Sequence, residues 1–181
     1  MSRLTIAARA DAPAKSQPLL DAVEKQLGIV PNLFRLVAAS PAALEGYLAL
    51  NSALARTLDA KTRERIAIAI AQANGCDYCL SAHSYLGLNL AHIDDAEIAQ
   101  NRSGHSGDAK ADAALVFARR VLDTRGRVDD ADLDAVRVAG FDEAEVIEIV
   151  ASVALNVLTN YINNVVDTDI DFPVVLSTHA V

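Results

Sequence analysis

Residues 59–86 constrain the fold more than any other stretch. "KTRERIAIAIAQAN" follows Asp59, a residue that can cap a helix, and it is dense in Ile66, Ile68, Ala69 and Ile70. The alternation of Ile and Ala could suggest a strand, but the Arg/Glu start and the Ala content favour a helix. So dense an apolar surface predicts burial on most sides. Gly75 breaks the segment, and "CDYCLSAHSYL" starts a second helix at about Cys76. A turn at Asn74-Gly75 folds the two into an antiparallel helical hairpin.

The same logic extends along the chain. Pro18 to Leu27 reads as a helix stopped by Gly28, and "LFRLVAAS" as a short one. Ser40-Pro41 is an N-cap with Pro at the first helical position, opening a helix that runs to about Thr57. Asp94-x-x-Glu97 and Asp142-x-x-Glu145 are capping-box starts. The first opens a short helix and the second a long one to about Val166. Helices over Ala109–Leu122 and Ala131–Val138 lie between them, the latter closing at Gly140. No segment reads as a strand. With 52% hydrophobic but only 4% aromatic residues and no Trp, the core must be built from Ala, Leu, Val and Ile, which suits closely packed helices. The expectation is an all-α helical bundle. Residues 1–17 read as a loosely held N-terminal arm and 18–181 as a single helical domain. The tail from Asp167 is expected to be extended, able to lie on a neighbouring subunit.

A net charge of −8 argues against nucleic acid or an anionic membrane as partner. No run of about 18 apolar residues is present to span a bilayer. The opening residues lack the apolar region of a secretory signal, so a cytoplasmic protein is expected. There, a Cys-x-x-Cys is more often redox-active or metal-binding than a structural bridge.

Both cysteines of the chain, Cys76 and Cys79, stand three apart, and His83 follows four residues later. On a helix the three share one face. Two Cα atoms one turn apart lie roughly 5 Å from each other, within disulfide range. The hairpin register places Glu64, eleven residues before Gly75, within about one turn of His83 along the axis. Glu64, His83 and Cys79 then form a proton relay: a carboxylate orients an imidazole that takes the proton of a thiol. The free N–H groups at the helix start favour a thiolate on Cys76; the relay favours one on Cys79. The dipole is worth up to about 1 kcal/mol, whereas a positioned base contributes about 10²- to 10⁴-fold in rate. Cys79 is therefore the expected nucleophile, with Cys76 an exposed resolving thiol.

Alternatives remain open. The two cysteines and His83, with Glu64, would supply the four ligands that zinc takes, and buried Cys can simply pack. A thioredoxin-like domain lacks its βαβ context. Tyr78 reads as a packing or interface residue. Asn156, Asn160, Asn163 and Asn164 share much of one helix face near Tyr161, which suits either capping and subunit contacts or a pocket lining. His92, His105 and His179 fall in loops or the tail and carry no assigned role. One internal echo exists: Glu64 and Cys76 are twelve apart, as are Glu148 and Asn160, and Cys79 then maps to Asn163. It would reflect two hairpin halves related by duplication.

The pattern Glu64-x11-Cys76-x-x-Cys79-x-x-x-His83 resembles the active-site motif of the AhpD-like alkyl hydroperoxidases, within the carboxymuconolactone decarboxylase superfamily. "GIVPNLFRLVAASPAAL" and "LNVLTNYINNVVDTDIDFP" resemble the two ends of its peroxidase-related branch. The resemblance implies an all-α fold, a homo-oligomer (often a trimer or hexamer), and cysteine-based reduction of a hydroperoxide or of a peroxiredoxin partner. It implies Glu64, Cys76, Cys79 and His83 as catalytic residues, Cys79 peroxidatic and Cys76 resolving. It implies a dithiol reductant and no bound cofactor. Two departures stand out. Well-studied members carry a His where this chain has Tyr78, and relatives often read Asn-His where it has Asn163-Asn164. A lactone decarboxylase like the superfamily's namesake is the alternative enzyme, and a redox-sensing oligomeric module the alternative outside enzymes.

Overall fold

The computed structural model describes residues 1–177. Its elements are α1 (Gln17–Leu27), α2 (Asn32–Val37), α3 (Pro41–Leu54), α4 (Ala60–Ala73), α5 (Asp77–Asn89), α6 (Asp95–Arg102), α7 (Ala109–Thr124), α8 (Asp130–Val138) and α9 (Glu143–Val166), with a 3-10 turn at Arg9–Asp11. No strand occurs among the described residues, as the sequence led us to expect.

α4 is the central helix, packing against α5, α6, α7 and α9. Ile68 and Ala71 join one apolar core with Leu20, Leu33, Leu44 and Leu80. Ile66, Ala69 and Ile70 join a second with Leu115, Phe117, Val136 and Ile149. A helix wedged between two cores needs apolar residues all round, which explains its Ile-Ala pattern. The alanines between let neighbouring helices approach closely.

The caps expected at Ser40, Asp59, Asp94 and Asp142 each accept the N–H three residues on. Asp108 and Asp129 do the same at the starts of α7 and α8. Asp142 and Glu145 complete a capping box. Glu97 does not, because its carboxylate turns instead to Arg65, Asn101, Ser106 and the Gly107 N–H.

Three expectations are corrected. The first sixteen residues are not loosely held: Arg3 N–H donates to Val166 O, Arg35 Nε donates to Ala7 O, and Ser16 is buried with its hydroxyl on Ala38 O at 2.7 Å. The tail lies on its own chain. Tyr78 Oη donates to Asp171, Val175 N–H donates to Ser81 Oγ, and Ser177 N–H donates to Asp77. Finally, residues 143–166 form one uninterrupted helix, so Glu148, Asn160 and Asn163 do not repeat the Glu64–Cys79 hairpin. An 18-residue window of α9 reaches a mean hydropathy of 1.4. That helix packs against α3, α4, α5, α7 and α8, in the manner of a core helix.

Candidate active site

The turn between α4 and α5 has no spare residue. Gly75 takes φ +60°, a left-handed conformation that a side chain would strain. Gly75 N–H bonds Gln72 O, and Cys76 N–H bonds Ala71 O at 2.9 Å, the Schellman pattern that satisfies the last carbonyls of a helix. Cys76 then opens α5 as its N-cap, in an extended conformation, with Sγ accepting the Cys79 N–H at 3.3 Å. One residue thus closes one helix and starts the next. It is not the first helical residue of a common face with Cys79 and His83, as expected; only Cys79 and His83, four apart, share that face.

The hairpin register is as derived from the sequence. His83 Nδ1 lies 2.8 Å from Glu64 Oε2, both side chains about one-fifth to one-quarter exposed. Burial alone would lower the His83 pKa; the charge and hydrogen bond of Glu64, aided by Cys79, raise it above 6.5. The imidazolium is therefore favoured.

Both thiols are free and buried, Cys76 at 0% and Cys79 at 2% exposure. The expectation of an exposed Cys76 is corrected. It belongs to a core on which chain from far along the sequence, including Phe172 and Val175, also packs. Asn163 Nδ2 donates to Cys79 Sγ at 3.2 Å. Burial pushes the Cys79 thiol up; a hydrogen bond from Cys76, the charge of His83, and Asn163 and Asn160 bring it down to about 7. The Cys76 thiol is pushed strongly up by that same bond, by burial and by the Cys79 charge. It keeps its proton while Cys79 ionises.

α9 holds the turn in place. Asn164 Nδ2 donates to Asn74 O, and Asn74 Nδ2 donates to Asn160 Oδ1, both at 2.9 Å. The asparagine face recognised in the sequence is thus directed at the hairpin. Tyr78 is a packing anchor: its hydroxyl accepts Leu33 N–H at 3.0 Å and donates to Asp171 at 2.9 Å, and its ring meets Phe172 edge-on. His105 pairs with Asp112 on the surface, and His179 lies outside the described residues. Among the described residues no group of three or more His, Cys, Asp or Glu side chains is arranged to hold a metal ion.

Glu64 and His83 open on a narrow cleft walled also by Tyr47 and Asn51 of α3 and Asn156 of α9; its free space is about 40 Å³, a few waters' worth. Tyr47 and Asn51 are absent from the sequence reading. Their i, i+4 spacing on the face of Leu44 and Leu54 was the available signal. Burial, Cys79 and Glu64 raise the Tyr47 phenol, so it stays a proton donor.

The described residues thus form an all-helical fold in which a Glu–His pair stands beside two buried thiols. Comparison with known proteins sharpens this. Residues 41–124 match the carboxymuconolactone decarboxylase family. The crystal structure of an alkylhydroperoxidase AhpD core, an uncharacterized peroxidase-related protein from Ralstonia eutropha JMP134, superposes with a TM-score of 0.84 at 27% identity, covering 94% of this chain and 92% of that one. The debrominase Bmp8 in complex with 2,3,4-tribromopyrrole has the same fold, with a TM-score of 0.77 at 23% identity over 94% of both chains. An uncharacterized protein of Haemophilus influenzae is 50% identical over 46 residues, which span 24% of this chain and 41% of that one. The chain thus carries a segment matched by the carboxymuconolactone decarboxylase family within a fold similar to the AhpD core.

Proposed function

We propose that the protein is a thiol-dependent hydroperoxide reductase. The observation that carries this reading is the 2.8 Å contact of Glu64 with His83 beside two free buried thiols, Cys79 accepting from Asn163 Nδ2 at 3.2 Å. The thiolate of Cys79 attacks the terminal peroxide oxygen. The S–O bond forms as the O–O bond breaks, sulfur gives up two electrons, and the departing alkoxide takes a proton, for which the Glu64-held His83 imidazolium is the near source. The Cys76 thiol then condenses with the sulfenic acid, releasing water and forming the disulfide. An external dithiol or a peroxiredoxin partner exchanges with that disulfide and resets the pair. A reducing cytoplasm supplies such dithiols. The narrow cleft suits a small hydroperoxide head group.

We read the protein as a homo-oligomer. Ile147, Val150, Leu158, Tyr161 and Val165 form an exposed apolar stripe along α9, which a second copy would cover. Light scattering that finds a monomer at micromolar concentration refutes this.

Steady-state consumption of hydroperoxide with several dithiols tests the activity. Turnover is expected, and is lost in Cys79→Ser. Bromopyrrole belongs in the same assay, because a debrominase shares the fold: bromide release without peroxide consumption would replace peroxide reduction by reductive dehalogenation. Absence of both would leave a redox-sensing module.

A further inference from the structure

Two side chains beside Cys79 have hydrogen-bonding capacity that the fold does not use. Asn160 and Asn163 are buried, at 0% and 2% exposure. Asn160 Oδ1 accepts from Asn74, and its Nδ2 is buried without a partner. Asn163 Nδ2 donates to Cys79 Sγ, and its Oδ1 is buried without a partner. The Asn160 side chain also acts on the Cys79 thiol. One unused donor and one unused acceptor therefore flank one reactive sulfur. Each such orphan is costly, on the order of 1–3 kcal/mol, and buried polar groups are otherwise almost always paired.

We propose that Asn160 and Asn163 form a carboxamide cradle for the oxygen atom that Cys79 receives. The proposal rests on the peroxidase reading and adds two catalytic residues to it. A hydroperoxide's terminal O–H presents one hydrogen and lone pairs. The hydrogen is donated to Asn163 Oδ1, and the oxygen accepts from Asn160 Nδ2. When the thiolate attacks, RS⁻ + R′OOH + H⁺ gives RSOH + R′OH. The terminal oxygen keeps its hydrogen and moves to sulfur, so the same two contacts hold the sulfenic acid.

The test separates this role from an effect on thiol ionisation. The groups facing Cys79 are Cys76, Tyr78 and His83 from α5, Tyr47 from α3, Glu64 from α4 through His83, and the two carboxamides from α9. In a Cys76→Ser background, which keeps the sulfenic acid from resolving, two rates are measured on the same thiolate. One is alkylation by iodoacetamide; the other is oxidation by cumene hydroperoxide, tert-butyl hydroperoxide or hydrogen peroxide. Alkylation needs only the thiolate, and oxidation needs the cradle too. Asn160→Asp keeps the size of the side chain while removing its amide donor, and Asn163→Leu keeps the size while removing the Oδ1 acceptor. In each, the ratio of oxidation to alkylation rate is expected to fall about tenfold, the worth of one hydrogen bond of about 1.4 kcal/mol. Serine at the same positions reads the same ratio should aspartate or leucine unfold the bundle. An unchanged ratio with the parent still oxidised overturns the cradle and leaves the peroxidase reading standing. A parent that no hydroperoxide oxidises overturns both.

Discussion

Cys76 caps the helix that carries Cys79: its Sγ accepts the Cys79 N–H at 3.3 Å. The resolving thiol of the proposed cycle is therefore also a structural group, and the two duties are separable. Serine is among the preferred N-caps and alanine is not. Cys76→Ser should keep the thermal midpoint within a few degrees of the parent's, whereas Cys76→Ala should lose about 1 kcal/mol. Both should abolish the disulfide, read as the loss of two hydrogens by mass spectrometry after peroxide treatment. If both thiols of the parent stay alkylatable under oxidation, the dithiol is not redox-active.

The division of roles follows from which thiol keeps its proton. Cys76→Ser should trap a sulfenic acid on Cys79 that a dimedone-type probe labels. Cys79→Ser should give little or no label on Cys76, whose thiol is pushed up by its bond to Cys79 and by burial. Label confined to Cys79→Ser would reverse the roles.

Glu64→Gln removes the carboxylate that raises His83. The wild-type pair stabilises the fold fully below the ordinary imidazole pKa of 6.5, and that stabilisation fades as pH climbs through the raised value. In the variant, the histidine titration followed by NMR should fall back and this pH dependence flatten. Cys79 loses a neighbouring positive charge, so the midpoint of its alkylation profile should rise. An unmoved profile would take Glu64 out of the relay.

Glu97 gives the opposite sign. Burial would raise its carboxyl, but bonds from Ser106, Gly107 and Asn101, with the charge of Arg65, lower it from 4.5 to about 2. Its contribution is present above pH 4.5 and is lost as pH falls toward 2. Acid-unfolding curves of Glu97→Gln should be shallower than the parent's across that window, and identical curves would refute the assignment.

Tyr78→Phe keeps the ring against Phe172 but leaves Leu33 N–H without its acceptor and Asp171 with the Asn32 N–H in place of two donors. A cost of about 1–3 kcal/mol is expected in denaturant midpoint, with faster proteolysis of the tail. A midpoint equal to the parent's would show that water replaces the phenol.

The helices were legible because their signals are local: an Asp or Ser cap, a Pro at the first position, a Gly at the end. The Glu64–His83 contact was legible because a two-residue turn fixes the register of a hairpin by helix geometry alone. Burial of Cys76 was not, since the core that holds it is completed by chain about a hundred residues later, which bonds to α5 at Asp77, Tyr78 and Ser81. The asparagines stood out as poor interior helix residues, yet their direction depended on how α9 crosses α4 and α5. Tyr47 was missed for the same reason: an amphipathic pattern on α3 marks a buried face without saying which helix meets it.

The shared cap at Cys76 also fixes the length of the chain here. An extra residue between Ala73 and Cys76 would break both the Schellman closure of α4 and the thiol cap of α5. If absorbed into either helix, it would rotate the next element by about 100°, carrying Cys79 off Asn163 and His83 off Glu64. Insertions and deletions should be better tolerated between α7 and α8, where a loop separates the helices. At Asn74-Gly75, drifting sequences cannot change count.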